Sequence, residues 1–192
     1  EYDPIAFEAW YNLGVVAESL DSPEKSMGYY QRALELQDNH VLTLVNLGNL
    51  MMRAKDYSEA KTYYERALTK IPDDFKANYN YGLLLMATGD LKGGQQKFET
   101  ACRAEPSEMM AWNQYIRASI KLKDYENALQ GSEVVLSVTP NSPFALSTAA
   151  VACAETGRLD QAKGLMTRLK EVDAGRWKKL VDDNEALKNI VE

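Results

Sequence analysis

Nothing constrains this 192-residue chain more than its recurrence at an interval of 34 residues. Pro72, Pro106 and Pro140 stand one interval apart, as do Asp56, Asp90 and Asp124, and again Gly14, Gly48 and Gly82. A unit of that size cannot bury an apolar face alone. A fixed period of this kind therefore predicts one supersecondary element stacked on copies of itself, not an enzyme core.

Divided at that interval, the chain reads as a short lead 1–6, units 7–40, 41–74, 75–108, 109–142 and 143–176, and a final segment 177–192. Within each unit, apolar residues recur at helical spacing on both sides of a central turn. In the second unit Leu44, Leu47 and Met51 precede a turn at Lys55-Asp56, and Tyr57, Ala60, Tyr64 and Ala67 follow it. Each unit is thus expected to be a helical hairpin. Asp56 with Glu59 has the spacing of a capping box. Ser22-Pro23 places a capping acceptor before a proline at the first helical position. The three periodic prolines end second helices, because the residue before a proline disfavours helix. Gly14, Gly48 and Gly82 are expected to face small residues of the second helices (Ala60, Gly94 and Ala128). Tyr30 and Tyr64 fall in the hairpin core. Pro4, in phase with the later prolines, marks the lead as the tail of a preceding repeat, with a further unit expected upstream. The final segment predicts a capping helix opened by Asp182 with Glu185 and carrying Leu187, Ile190 and Val191. A flexible tail is its alternative.

The pattern resembles the tetratricopeptide repeat (TPR) family, whose signature is W-x2-L-G-x2-Y, then A-x3-F, then P. Trp10, Leu13 and Gly14 match in the first unit; Leu47, Gly48, Ala60, Tyr64 and Pro72 in the second. Gly82, Phe98, Ala101 and Pro106 match in the third, and Trp112, Ala128 and Pro140 in the fourth. The fifth is degenerate, with Ala174-Gly175 where the proline would stand. The resemblance implies an all-α fold: a right-handed superhelical solenoid of antiparallel helix hairpins, five repeats and a cap.

It also implies that the first helix of each hairpin lines a concave, peptide-binding groove. By that resemblance the groove residues are Tyr11, Asn12, Val45, Asn46, Asn49, Arg53, Lys76, Tyr79, Asn80, Leu83, Met110, Gln114, Arg117 and Lys121. Asn12, Asn46 and Asn80 recur in phase, and Gln114 and Thr148 continue the row. A carboxamide both donates and accepts. Such a ladder can pair with an extended peptide backbone, as in the similar TPR arm of the O-linked N-acetylglucosamine transferases. Alternatively it bonds within the array. Arg53, Lys76, Arg117 and Lys121 place positive charge at mid-groove in a chain of net charge −6. They attract an acidic ligand segment or are simply solvated. Tyr11, Tyr79, Val45, Leu83 and Met110 supply apolar contact. The carboxylate clamp by which some TPR proteins grip chaperone tails is not matched, because Tyr11 and Val15 stand where a Lys and an Asn are needed.

Hydrophobic content of 45% with 26% charged residues belongs to a folded chain, and its acidic balance argues against nucleic acid. No apolar run suffices to cross a bilayer, and no membrane insertion is expected. Two distant cysteines, Cys102 and Cys153, give neither a disulfide framework nor a zinc site and are compatible with a reducing, cytoplasmic compartment. His40, the single histidine, lies at a unit junction and is expected at the surface without a catalytic role. Gly89 to Gly94 has a phosphate-loop frame but lacks its Lys-Ser/Thr and a preceding strand. No enzyme activity, cofactor or metal is expected. The function predicted is a scaffold that binds a peptide or helix of a partner protein. A substrate-recruiting arm of a larger enzyme and a self-assembling homo-oligomer are the alternatives.

Overall fold

A computed structural model describes residues 4–191, of Val191 the backbone only. Residues 1–3 and 192 of the expected lead and cap lie outside the described residues. Those described form twelve α-helices and no strand. The chain is all-α, as expected. It divides into two compact units, Glu1–Asp90 and Leu91–Glu192. The first holds α1 (Pro4–Ser19), α2 (Pro23–Leu36), α3 (Val41–Arg53), α4 (Tyr57–Lys70) and α5 (Phe75–Thr88). The second holds α6 (Leu91–Ala104), α7 (Met109–Leu122), α8 (Tyr125–Val138), α9 (Pro143–Glu155), α10 (Leu159–Val172), α11 (Ala174–Asp183) and α12 (Glu185–Val191). Pro4 to Ala6 of the expected lead form the first turn of α1. Proline is tolerated there because that turn's N–H groups have no helical partner.

The first helices all end alike. Asp21, Lys55, Gly89, Lys123 and Gly157 take the left-handed backbone, with φ of 52°, 62°, 89°, 58° and 76°. The following N–H then reaches back to the carbonyl five residues earlier, as in a Schellman motif. Ser22 bonds to Ala17, Asp56 to Met51, Asp90 to Leu85, Asp124 to Ser119 and Arg158 to Cys153, at 2.8–2.9 Å. These five turns recur at 34 residues. At Asp56 and Asp124 the donor's side chain also opens the next helix. Asp56 accepts from the Glu59 N–H at 3.1 Å and Asp124 from that of Asn127 at 3.4 Å. Ser22 departs from expectation: its hydroxyl donates to the Leu20 carbonyl at 3.4 Å and caps nothing, leaving Pro23 to start α2. The second helices α4, α6 and α8 stop two residues before Pro72, Pro106 and Pro140.

In the first unit α1 packs on α2 and α3 on α4, with α2 touching α3 and α3 touching α5. Gly14 and Gly48 there meet aromatic rings. A Cβ on Gly14 would run into the Tyr30 ring, and one on Gly48 into the Tyr64 ring. Tyr30 and Tyr64 are fully buried, so the missing side chain makes room for a ring. The expected small residue is still nearby, since the Ser26 hydroxyl donates to the Gly14 carbonyl at 2.9 Å. In the second unit the sizes are exchanged. Ile116 stands in the register of Gly48, Ser132 in that of Tyr64, and a Cβ on Gly131 would meet Ile116 Cγ1 at 2.8 Å. The seam stays full because the bulk has moved from the second helix to the first.

Gln95 ties α6 to the α7–α8 turn, donating to the Ser119 hydroxyl and to Asp124, both at 2.9 Å. Burial by itself would raise the Asp124 carboxyl. The donors Gln95 and Asn127 outweigh it and hold that carboxyl below the usual carboxylate range. The chain closes on two helices, not the single cap expected. Asp173 accepts from the Arg176 N–H at 2.8 Å to open α11, and Asn184 from that of Leu187 at 3.2 Å to open α12. Asp182 is exposed and opens neither. α11 and α12 both pack on α9 and α10, and Leu187 is fully buried among them.

Candidate partner-binding faces

One face of each first helix is consumed by the core, and the candidate residues lie on or beside the other. In α3, Val41, Leu44, Leu47, Gly48 and Met51 are buried. Val45 joins them at 1% exposure, which corrects its assignment to an open face: α3 touches α5 as well as α4, and the lateral position between them is covered. Asn46 and Asn49 are half-buried and already bonded. Asn46 Nδ2 donates to the Tyr30 hydroxyl at 3.0 Å, and Asn49 Oδ1 accepts from the Tyr64 hydroxyl at 2.8 Å. Tyr30 donates in turn to Glu18 at 3.1 Å. Burial first, and the Glu18 carboxylate second, push the Tyr30 phenol well above its usual range.

The same Glu18 takes Arg53 at 2.9 Å. The mid-groove charge expected from the sequence is therefore reduced at Arg53 by a carboxylate from α1. Tyr11 is half-buried, 5.9 Å from the Tyr30 ring and 5.5 Å from that of His40. Asn12 is exposed. On α5, Lys76 is exposed, and Tyr79, Asn80 and Leu83 are half-buried. The Tyr79 ring stacks on Phe75 at 5.9 Å.

The second unit carries the other four. Met110 is 51% exposed, Lys121 is exposed and Gln114 is half-buried. The Arg117 guanidinium lies 4.8 Å above the Phe144 ring, a cation–π contact that fixes its direction while its charge stays open. Lys76, Arg117 and Lys121 form no ion pair among the described residues. The amide row ends in Thr148, whose hydroxyl bonds to Ser132 at 3.0 Å. Thr148 and Ser132 stand three repeats on from Asn46 and Tyr30, in the same register. At both ends of that interval the row bonds to the preceding hairpin, so bonding within the array holds at 46 and 148.

His40 is not a plain surface residue. It opens α3, its Nδ1 accepting from the Thr43 N–H at 3.3 Å, and its ring meets Phe7 edge-on at 4.7 Å. Burial lowers its pKa. Glu18 and Phe144, which set the state of Arg53 and Arg117, were invisible as partners in the sequence, because both contacts join different hairpins.

Models of the tetratricopeptide repeat match residues 5–70 and 51–111. Together they span residues 5–111, more than half of the chain. The chain belongs to the tetratricopeptide repeat family. Its fold is similar to that of YrrB, a TPR protein with an unusual peptide-binding site, at a TM-score of 0.75 and 20% identity over 86% of each chain. MamA gives 0.75 and 16%, over 90% of this TPR chain and 94% of that one. A structure of Naa15/Naa10 bound to HypK-THB gives 0.73 and 16%, over 86% of this chain but 25% of that one. At these identities the likeness is one of fold. Among curated proteins no sequence matches. No helix among the described residues is long and apolar enough to cross a membrane.

Proposed function

We propose that this TPR chain is a protein–protein interaction scaffold whose first-helix faces hold an acidic segment of a partner, a peptide or helix with apolar anchors. One observation carries it. In the first unit α3 and α5 contain no acidic residue, and Lys76 is exposed. In the second α7 contains none, and Arg117 and Lys121 are exposed. In a chain of net charge −6, these three cations form no ion pair among the described residues. In each unit a local charge opposed to that of the whole chain steers an oppositely charged partner. Beside these cations lie Tyr79, Asn80 and Leu83 in the first unit, and Met110 and Gln114 in the second. Methionine adapts to varied apolar contacts. Peptide binding by YrrB and the assembly of Naa15 with Naa10 are uses of the same fold that agree with this class.

The test is quantitative capture of partners from extract on immobilised chain, comparing wild type with the combined variant Lys76→Glu, Arg117→Glu, Lys121→Glu and Asn80→Ala. Asn46 is left intact, since its amide holds Tyr30. Capture should fall by at least about tenfold, roughly 1.4 kcal/mol, with unchanged helicity. Added salt should weaken the wild type more than the variant, because only exposed charges are screened. Undiminished capture by a helical variant would refute the proposal.

A further inference from the structure

A second candidate site lies in the second unit and owes nothing to those faces. Between α8 and α10, floored by α9, is an open cleft of about 560 Å³. Its origin is legible in the repeat. Three intervals earlier in the chain, the corresponding place between α2 and α4 is floored by Leu47 and Met51 and filled by the ring of Tyr63, which is 9% exposed. In the cleft all three have shrunk together. Ala149 stands for Leu47, Cys153 for Met51 and Leu165 for Tyr63, while Gly164 replaces Thr62 on the wall. An added Cβ on Gly164 would meet nothing within 4 Å.

The polar rim keeps one carboxylate and one carboxamide, with their positions exchanged. Where Tyr63 donates its hydroxyl to Glu59 at 3.3 Å and also bonds to Gln31, the cleft carries Gln161 and Glu133. Gln161 is oriented by the Cys153 thiol, which donates to its Oε1 at 3.7 Å. An apolar slot of this size with a few directed polar groups is the usual form of a binding pocket. Here the array itself shows what fits, because its other hairpin pair seats a phenol ring between a carboxylate and a carboxamide.

We infer that the cleft between α8 and α10 receives one aromatic side chain, a tyrosine above all, presented by a partner protein. The ring would lie on Ala149 and Cys153, and its hydroxyl would donate to Glu133 or Gln161.

Two probes test this in ¹H–¹⁵N NMR titrations of the whole chain: p-cresol, the bare tyrosine side chain, and N-acetyl-tyrosinamide, which adds the flanking backbone. Both should give saturable shifts at Ala149, Cys153, Gly164 and Leu165. In Leu165→Tyr, which supplies its own ring as Tyr63 does, those shifts should vanish and the melting temperature should rise. Cys153→Met, which restores the bulk of Met51, should also abolish them and serves if the first variant misfolds. Absence of a saturable shift with either probe overturns the assignment, as do equal shifts in both variants. Saturation by p-cresol without N-acetyl-tyrosinamide would show a pocket for free small aromatics, and would overturn the side-chain assignment.

Discussion

At the scale of the residue, two glycines alike in sequence do opposite work. Gly48 leaves the space that the buried Tyr64 ring fills, while Gly28 sits mid-helix in α2 with nothing within 4 Å of an added Cβ. Gly48→Ala should destabilise the chain by about 1–3 kcal/mol through overpacking. Gly28→Ala should stabilise it by roughly 0.5–1 kcal/mol through helix propensity. Chemical denaturation of the two variants separates the cases. His40 gives a pH dependence of definite sign. Burial lowers its folded pKa below the unfolded value of about 6.5, and its Nδ1 must stay unprotonated to accept from Thr43. Its contribution is therefore full above the unfolded pKa. It declines as pH falls through the interval between the two pKa values, and is lost below the folded one. His40→Asn keeps a capping acceptor and removes the titration. The fall in stability as pH drops below about 6.5 should flatten in that variant.

The elements are set by the turns that end them. Gly89 and Gly157 enter the left-handed region at little cost, whereas Asp21, Lys55 and Lys123 adopt it with a Cβ. Lys55→Gly and Lys123→Gly should each stabilise the chain by about 0.5–1 kcal/mol, read as a raised denaturation midpoint at constant m-value. The periodic aspartates were legible as helix starts, because capping needs only a local acceptor. The left-handed turn one residue earlier was not, because lysine is no signal for it. Nor did the spacing of Asp182 and Glu185 reveal that the end of the chain makes two helices. The acceptors that open them are Asp173 and Asn184, and the burial of Leu187 on α9 and α10 decides the break.

At the scale of the whole molecule, a hairpin within each of the two units touches its sequence neighbours, so damage should stay local. Leu187→Ala removes a fully buried side chain from the closing helices and should cost about 2–5 kcal/mol. Hydrogen exchange should quicken across α9 to α12 and stay unchanged across α1 to α4; uniform loss of protection would show a single cooperative block instead. At this scale the sequence by itself determined the repeat, its hairpins, the residues with large buried rings and the basic character of the central first helices. All of these follow from spacing along one helix or around one turn. Only the tertiary structure decided which of those residues remain free. Asn46, Asn49 and Arg53 are taken by Tyr30, Tyr64 and Glu18, and Val45 is covered. Lys76 and Lys121 stay open, and Arg117 is aimed by Phe144. Periodicity fixes the side of a helix on which a residue lies. Whether a neighbouring helix brings it a partner depends on side chains distant in sequence.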